Sequence, residues 1–242
     1  MIVDLHVHSN TSFDSKIKIN ILLKKLKEMG LDGIAITDHD SIAAIPKAKD
    51  SAKKYEVSVF TGVEISTKSG HVLVYGIDEK PIYRKSIAET IDWVKDRDGV
   101  IVCAHPFRKS SPSVGDRVYE NHFDGIEQNG RSKFAENRAA EVAAKLMKIT
   151  LVGGSDAHNI HNVGSISTEF QNEITNDDEL LTAIRKGECL PKHKEPITIK
   201  AELIPPISAK EIDILEKYKP KKEPILPLIK AANEKVKFFD SK

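Results

Sequence analysis

Short β-branched apolar runs alternate with amphipathic stretches along most of this chain, and nearly every run stops at a histidine or a carboxylate. That alternation is the signature of βαβ units with parallel strands. The strand-like runs are residues 2–7, 33–37, 57–63, 72–77, 100–104, 125–126 and 149–152. Between them, one helix is expected from Asn20 as N-cap to Gly30 as the C-terminal stop. Another opens with Ser86 and Glu89 in capping-box spacing, and others cover residues 42–54, 134–148 and 177–186. At 242 residues, 40% hydrophobic and 30% charged, the chain suits one α/β barrel and is too short for two typical domains plus linkers.

Composition shifts near residue 190, beyond which most of the eleven prolines fall. The barrel is therefore expected over 1–190, followed by a proline- and lysine-rich extension over 191–242. Within the extension, Ser208 and Glu211 open a short helix over 208–218. It is read either as a strap packed on the barrel or as a basic arm reaching toward an anionic polymer.

Several function classes fall away. Net charge is +1 and the isoelectric point about 7.8, so no global basic field marks a general nucleic-acid binder. Ligand-type side chains begin at Asp4, which leaves no room for a signal peptide, and no run of about 18 apolar residues marks a membrane span. Cys103 and Cys189 are far apart and form no CxxC pair, which argues for a reducing compartment and against a thiolate metal site. The expected location is the cytoplasm.

The chemistry lies at the strand ends. Alternation along the first strand puts Asp4, His6 and His8 on one side and Val3, Leu5 and Val7 on the other. Two imidazoles about 7 Å apart on one face of a strand can grip one ion. An HxH pair alone is weak, because paired histidines also occur on solvated strands. Repetition changes that: the second strand ends Thr37-Asp38-His39-Asp40, the third Gly62-Val63-Glu64, the fifth Ala104-His105-Pro106 and the sixth Ile126-Glu127, and the last is followed by Gly154-Ser155-Asp156-Ala157-His158. In a barrel of parallel strands those ends converge on one rim, where such barrels place their active sites. A nest of carboxylates and neutral imidazoles without a cation would suffer desolvation and like-charge repulsion, so divalent metal is the economical explanation. The oxygen and nitrogen donor set suits Zn, Mn or Fe, and Mg is also admitted.

Taken in order, Asp4-Leu5-His6-Val7-His8-Ser9 with Asp14, Thr37-Asp38-His39-Asp40, Gly62-Val63-Glu64-Ile65-Ser66, His71 with Gly76, Ala104-His105-Pro106 and Gly154-Ser155-Asp156-Ala157-His158 closely resemble the motifs of the polymerase and histidinol phosphatase (PHP) superfamily. The resemblance runs from about residue 2 to 187. It implies a distorted (β/α)7 TIM-like barrel with a trinuclear metal centre at the C-terminal rim of the strands, holding two to three divalent ions. By position, His6, His8, Glu64 and Asp156 resemble the first site. Glu64, His71 and His105 resemble the second, with Glu64 bridging, and Asp14, His39 and His158 the third. Ser15 departs from the Gly usual in similar chains. The wording is most similar to the small nucleotide and oligonucleotide phosphoesterases, although the spacing leaves little room for the helical insertion many of them carry. The resemblance therefore implies hydrolysis of a phosphorylated small molecule or short nucleic acid by a metal-bridged hydroxide.

Other residues carry two readings each. Glu127 is an outer partner or general acid, or a rim carboxylate. Arg108 and Arg131 hold phosphate oxygens in bidentate fashion, or are exposed salt-bridging arginines. Asp38 and Asp40 orient His39, cap the next helix or bind metal. His122, His161 and His193 fall outside the motifs as surface residues, with His161 a rim candidate, while Trp93 and Met147 are read as core. Two competing functions stand beside phosphoester cleavage. One is amidohydrolase-type C–N or lactone hydrolysis, disfavoured because no lysine sits at a strand end to form a bridging carbamate. The other is a non-catalytic metal-binding module of a nucleic-acid-processing assembly. Sequence leaves oligomeric state open.

Overall fold

A computed structural model describes residues 1–194, which form one α/β unit. In chain order its elements are β1 (Ile2–Val7), α1 (Ile19–Met29), β2 (Gly33–Ile36), α2 (Ile45–Ala52), β3 (Ser58–Thr67), β4 (Gly70–Tyr75), α3 (Ile87–Lys95), β5 (Val100–Cys103), β6 (Gly125–Asn129), α4 (Phe134–Met147), β7 (Thr150–Gly154), β8 (Ile166–Phe170), α5 (Asp177–Lys186) and β9 (Cys189–His193). The helix signals hold with small shifts. Gly30 ends α1 in the left-handed conformation with φ 69°, and the Ser86–Glu89 box caps α3 in both directions. The first turn of α1 is a correction: Lys18 stands at the N-cap without a side-chain bond, and Asn20 lies inside the helix. Helix α2 is also shorter than expected, beginning where Pro46 can occupy the first turn without losing a needed N–H.

One sheet runs β7-β6-β5-β4-β3-β2-β1-β8-β9. It curls until the segment after β7 meets the end of β1. Val7 and Ala157 form a parallel bridge, the His8 N–H donates to the Ala157 carbonyl at 3.0 Å, and the Asp156 N–H donates to the His6 carbonyl at 2.7 Å. The result is the nearly closed, distorted barrel that the sequence led us to expect.

Its strands are not all parallel, however. β4 runs antiparallel to both β3 and β5, and β8 runs antiparallel to both β1 and β9. Only Lys68 and Ser69 separate β3 from β4, whereas a parallel return needs a crossover of about a dozen residues. The pairing also carries β3 past Glu64 to Thr67, so Glu64 lies inside a strand and not at its end.

The alternation expected in β1 also fails. Val3 and Leu5 join the cluster containing Phe60, Leu73, Tyr75, Val102 and Val152, while Val7 joins Leu22, Leu23, Ile34 and Ile36 beneath α1 and α2. The β1–β2 register slips between Asp4 and Val7. A bulge of this kind re-aims the side chains that follow it. It leaves Asp4 accepting the backbone N–H groups of Ser155 at 2.9 Å, Gly164 at 2.8 Å and His6 at 3.3 Å, outside every group of candidate ligands.

Trp93 and Met147 are half-buried at the margin of the cluster under α3 and α4. β9 carries the sheet through Pro191 to His193. The remaining expectations for the C-terminal extension, the 208–218 helix and the choice of strap or arm, lie outside the described residues. No helix among the described residues is long and apolar enough to cross a membrane.

Candidate metal centre

Glu64 sits at the middle of the rim with 1% of its surface exposed. Its Oε1 lies 2.9 Å from His71 Nδ1 and 3.0 Å from His105 Nε2. Its Oε2 lies 3.3 Å from His6 Nε2, 3.2 Å from His8 Nε2 and 3.2 Å from His39 Nδ1. The reversed strand explains His71: in an antiparallel strand the N-terminal residues lie at the rim where its neighbours end.

Asp156 faces the same nitrogens from the segment after β7, with Oδ1 3.5 Å from His6 Nε2 and 3.3 Å from His8 Nε2, and the two imidazole nitrogens are themselves 3.1 Å apart. A tetrahedral ion with ligand bonds of about 2.1 Å sets its donors about 3.4 Å apart. The separations among these four donors therefore match the edges of a metal cage.

Three groups of described residues could hold an ion: His6, His8, Glu64 and Asp156; His39, Glu64 and His71; and His8, Asp14, His39 and His158. All nine residues singled out as ligands converge on this rim. The groupings differ from expectation in that His39 closes with Glu64 and His71, His8 joins the Asp14 group, and His105 meets Glu64 without belonging to any of the three.

Hydrogen bonds fix which nitrogens are free. His6 Nδ1 meets Glu127 Oε1 at 2.7 Å, so that nitrogen carries a proton and Nε2 is the one turned toward Glu64 and Asp156. The Asp156 carbonyl can only accept, so His158 Nδ1, 2.9 Å away, carries a proton and leaves Nε2 to face Asp14 Oδ2 at 2.9 Å. Ser12, not singled out from the sequence, lies 3.1 Å from His8 Nδ1 and accepts the His39 N–H at 2.9 Å. Asp38 accepts the Ser9 N–H and hydroxyl, both at 2.6 Å, and Asp40 accepts the Ser66 N–H at 2.7 Å, so both serve to hold loops and neither joins a ligand group.

Charge follows the same layout. Burial opposes ionisation of Glu64 and Asp156, yet His6 and the surrounding hydrogen bonds hold both carboxyls well below their ordinary range. Burial also opposes charging His8, but Asp156 and Glu64 raise it to about 8. Burial lowers His39 and His158, favouring the neutral imidazole that a metal ligand must be. His105 and Asp156 both adopt left-handed backbone, φ 29° and 53°, where residues with a side chain are strained and which is common at functional sites.

Of the residues given two readings, Arg108 needs correction, while Glu127 takes the outer-partner reading. Arg108 neither floats on the surface nor faces open space. It is buried, its Nη1 pairs with Asp156 Oδ2 and donates to Asn129 Oδ1 at 2.9 Å, and its Nε donates to Ser111 at 2.7 Å. With Nε and Nη1 both engaged by protein groups, it secures a candidate ligand. Arg131 fits the rim reading better: its side chain is 45% exposed, with Nη1 3.7 Å from Asp156 Oδ1.

Glu127 is fully buried, accepts the His105 N–H at 2.8 Å and an Asn129 amide at 3.0 Å, and orients His6; no oxygen is left to act as a general acid. His122 and His161 are exposed, and His193 is half-buried, 3.1 Å from Gln128.

A family model described as the PHP domain matches residues 4–182. The chain belongs to the PHP family. Protein MJ1587 of Methanocaldococcus jannaschii is 31% identical over 137 residues, 52% of this chain and 80% of that protein. A 5′-3′ exoribonuclease of Haemophilus influenzae is 41% identical over 64 residues, 26% of this chain and 23% of that one. Phosphoribosyl 1,2-cyclic phosphate 1,2-diphosphodiesterase of Eggerthella lenta is 32% identical over 85 residues, 33% of this chain and 32% of the enzyme. These last two matches span only a quarter to a third of the relatives' length.

The fold is shared with PsfC of Pseudomonas syringae, TM-score 0.63 at 16% identity over 90% of this chain and 95% of that one. It is shared as well with a candidate metal-dependent phosphoesterase of Bifidobacterium adolescentis, TM-score 0.58 at 16% identity over 76% and 96%. The functional names among these relatives and neighbours, exoribonuclease, diphosphodiesterase and metal-dependent phosphoesterase, are all those of phosphoester hydrolases.

Proposed function

We propose that this PHP protein hydrolyses phosphate esters of nucleotides or short oligonucleotides, using two to three divalent ions drawn from Zn, Mn or Fe. The observation that carries the reading is Glu64, whose two oxygens serve five imidazoles between them, the arrangement a carboxylate shared by neighbouring ions requires. His6, His8, Glu64 and Asp156 would hold the inner ion. Glu64 with His71, and with His39 or His105, would hold a second, and Asp14, His39 and His158 a third. A neutral imidazole offers one lone pair, so His39 serves one of these groups and not both.

Bound ions would supply Lewis acidity toward a phosphoryl oxygen and lower the pKa of a coordinated water. The chain's own residues do the rest. Glu127 fixes the His6 ring, Arg108, itself held by Asn129, fixes Asp156, and Arg131 presents a guanidinium to the non-bridging oxygens. The nucleotide and oligonucleotide substrate class is supported by the wording of the motifs and by the name of the exoribonuclease relative, while the diphosphodiesterase relative supports phosphoester cleavage in general.

Against a C–N hydrolase, no lysine among the described residues is buried to serve as a bridging carbamate. We place the protein in the cytoplasm, in keeping with two buried free thiols. Loading the purified chain with Zn, Mn, Fe or Mg and offering a chromogenic phosphodiester, nucleotides and short RNA tests the reading: turnover with at least one metal is expected. No turnover with any of them would favour a non-catalytic metal-binding module.

A further inference from the structure

Phe13 is the most exposed large apolar side chain among the described residues, at 89%, and it stands directly beside the metal centre. An aromatic ring left in water contributes nothing to folding, where burial of a Phe is worth about 1.5–3 kcal/mol. A floppy loop tip would explain such exposure, but this loop is held on both sides. Before Phe13, the buried Ser12 is tied to His8 and to the His39 N–H. After it, the buried Ser15 donates to the His8 carbonyl at 2.8 Å, and further along the Asn10 N–H donates to the Ile17 carbonyl at 2.9 Å. The ring is also fixed from one face, stacked near-parallel on His39 with centroids 5.4 Å apart and planes 25° apart. Its chain neighbour Asp14 is a candidate ligand. A rigid ring is thus presented to solvent within one residue of where a phosphate is proposed to sit.

We infer that Phe13 is a stacking platform for the nucleobase of the substrate, and so a specificity-determining residue that favours nucleotides and oligonucleotides over sugar phosphates. The inference rests on the phosphoester reading and narrows it. Every base offers a π-face, so such a platform tolerates sequence variation and adds affinity without contacting the reacting atoms.

Two measurements test it. Phe13→Trp adds an indole to the chain's single tryptophan, and its emission should be quenched saturably by AMP but not by ribose 5-phosphate, with or without turnover. In parallel, Phe13→Ala should raise KM for AMP on the order of tenfold more than for ribose 5-phosphate. If the metal-loaded chain hydrolyses neither of these compounds nor the phosphodiester and short RNA, the phosphoester reading falls while the quenching titration still decides this one. Quenching that is absent, or equal for the two ligands, overturns the inference. So does a Phe13→Ala protein that loses metal and slows equally on both substrates, because Phe13 would then serve only to pack His39.

Discussion

At the scale of single residues, Glu64 is where the proposed centre is most exposed to test. Gln keeps the size of the side chain but replaces one oxygen by an amide that cannot ligate a cation, on whichever side it falls. Glu64→Gln is expected to lose at least about a hundredfold in rate together with bound metal, whereas His122→Ala, exposed and remote from the cluster, should change neither. Elemental analysis beside a rate measurement checks both.

The two arginines should separate cleanly. Arg108→Ala leaves the Asp156 carboxylate buried without its partner, and breaking such a pair costs about 3–5 kcal/mol, read as a lower midpoint in denaturant. Arg131→Ala should move stability by less than about 0.5 kcal/mol, as expected at an exposed position, while raising KM for a phosphorylated substrate. Equal stability losses would show that Arg131 is also structural.

Among elements, the tightest constraint is where β7 approaches β1 and β8. A Cβ on Gly154 would stand 2.4 Å from the His6 Cβ and 2.6 Å from Glu127 Oε1, and one on Gly153 would stand 2.2 Å from the Ser167 carbonyl oxygen. Both glycines exist so that three strands can close the barrel behind the ligands. Gly154→Ala is therefore expected to cost about 1–3 kcal/mol by overpacking and to lower metal occupancy by displacing His6. Ser86→Ala, which removes the cap of α3, should cost about 1 kcal/mol with metal content unchanged.

Elements with purely local signals were legible in advance: the Ser86–Glu89 box, the Gly30 stop and α5 over Asp177–Lys186 lie where the pattern placed them. β8 escaped notice because Ser167 and Thr168 are buried polar residues, which blur the apolar run that marks an interior strand.

For the molecule as a whole, we propose that the barrel is an independent unit, with its boundary set by β9. A chain cut after Lys194 should unfold cooperatively and keep its metal. One cut after Leu190 removes most of the strand paired to β8 and should lose stability measurably in thermal unfolding.

The thiols report on the same integrity. Burial raises Cys103 well above its ordinary range and pushes Cys189 up to about 12, so a thiol reagent at pH 8 should label neither in the native protein and both in denaturant. Labelling of Cys189 in the native chain would show that the β8–β9 edge opens.

What the sequence determined by itself was the set of candidate donors and the rim they share, because a run of apolar residues ending in His, Asp or Glu is a local pattern. The family followed from the order of those patterns. The tertiary structure alone decided how the donors group, because that depends on distances between chain segments far apart in sequence. It put five imidazoles around one carboxylate, reversed β4 so that His71 could reach it, bulged β1 and left Asp4 outside the groups that His6 and His8 join, and buried Arg108 against Asp156 where the sequence had offered it to phosphate.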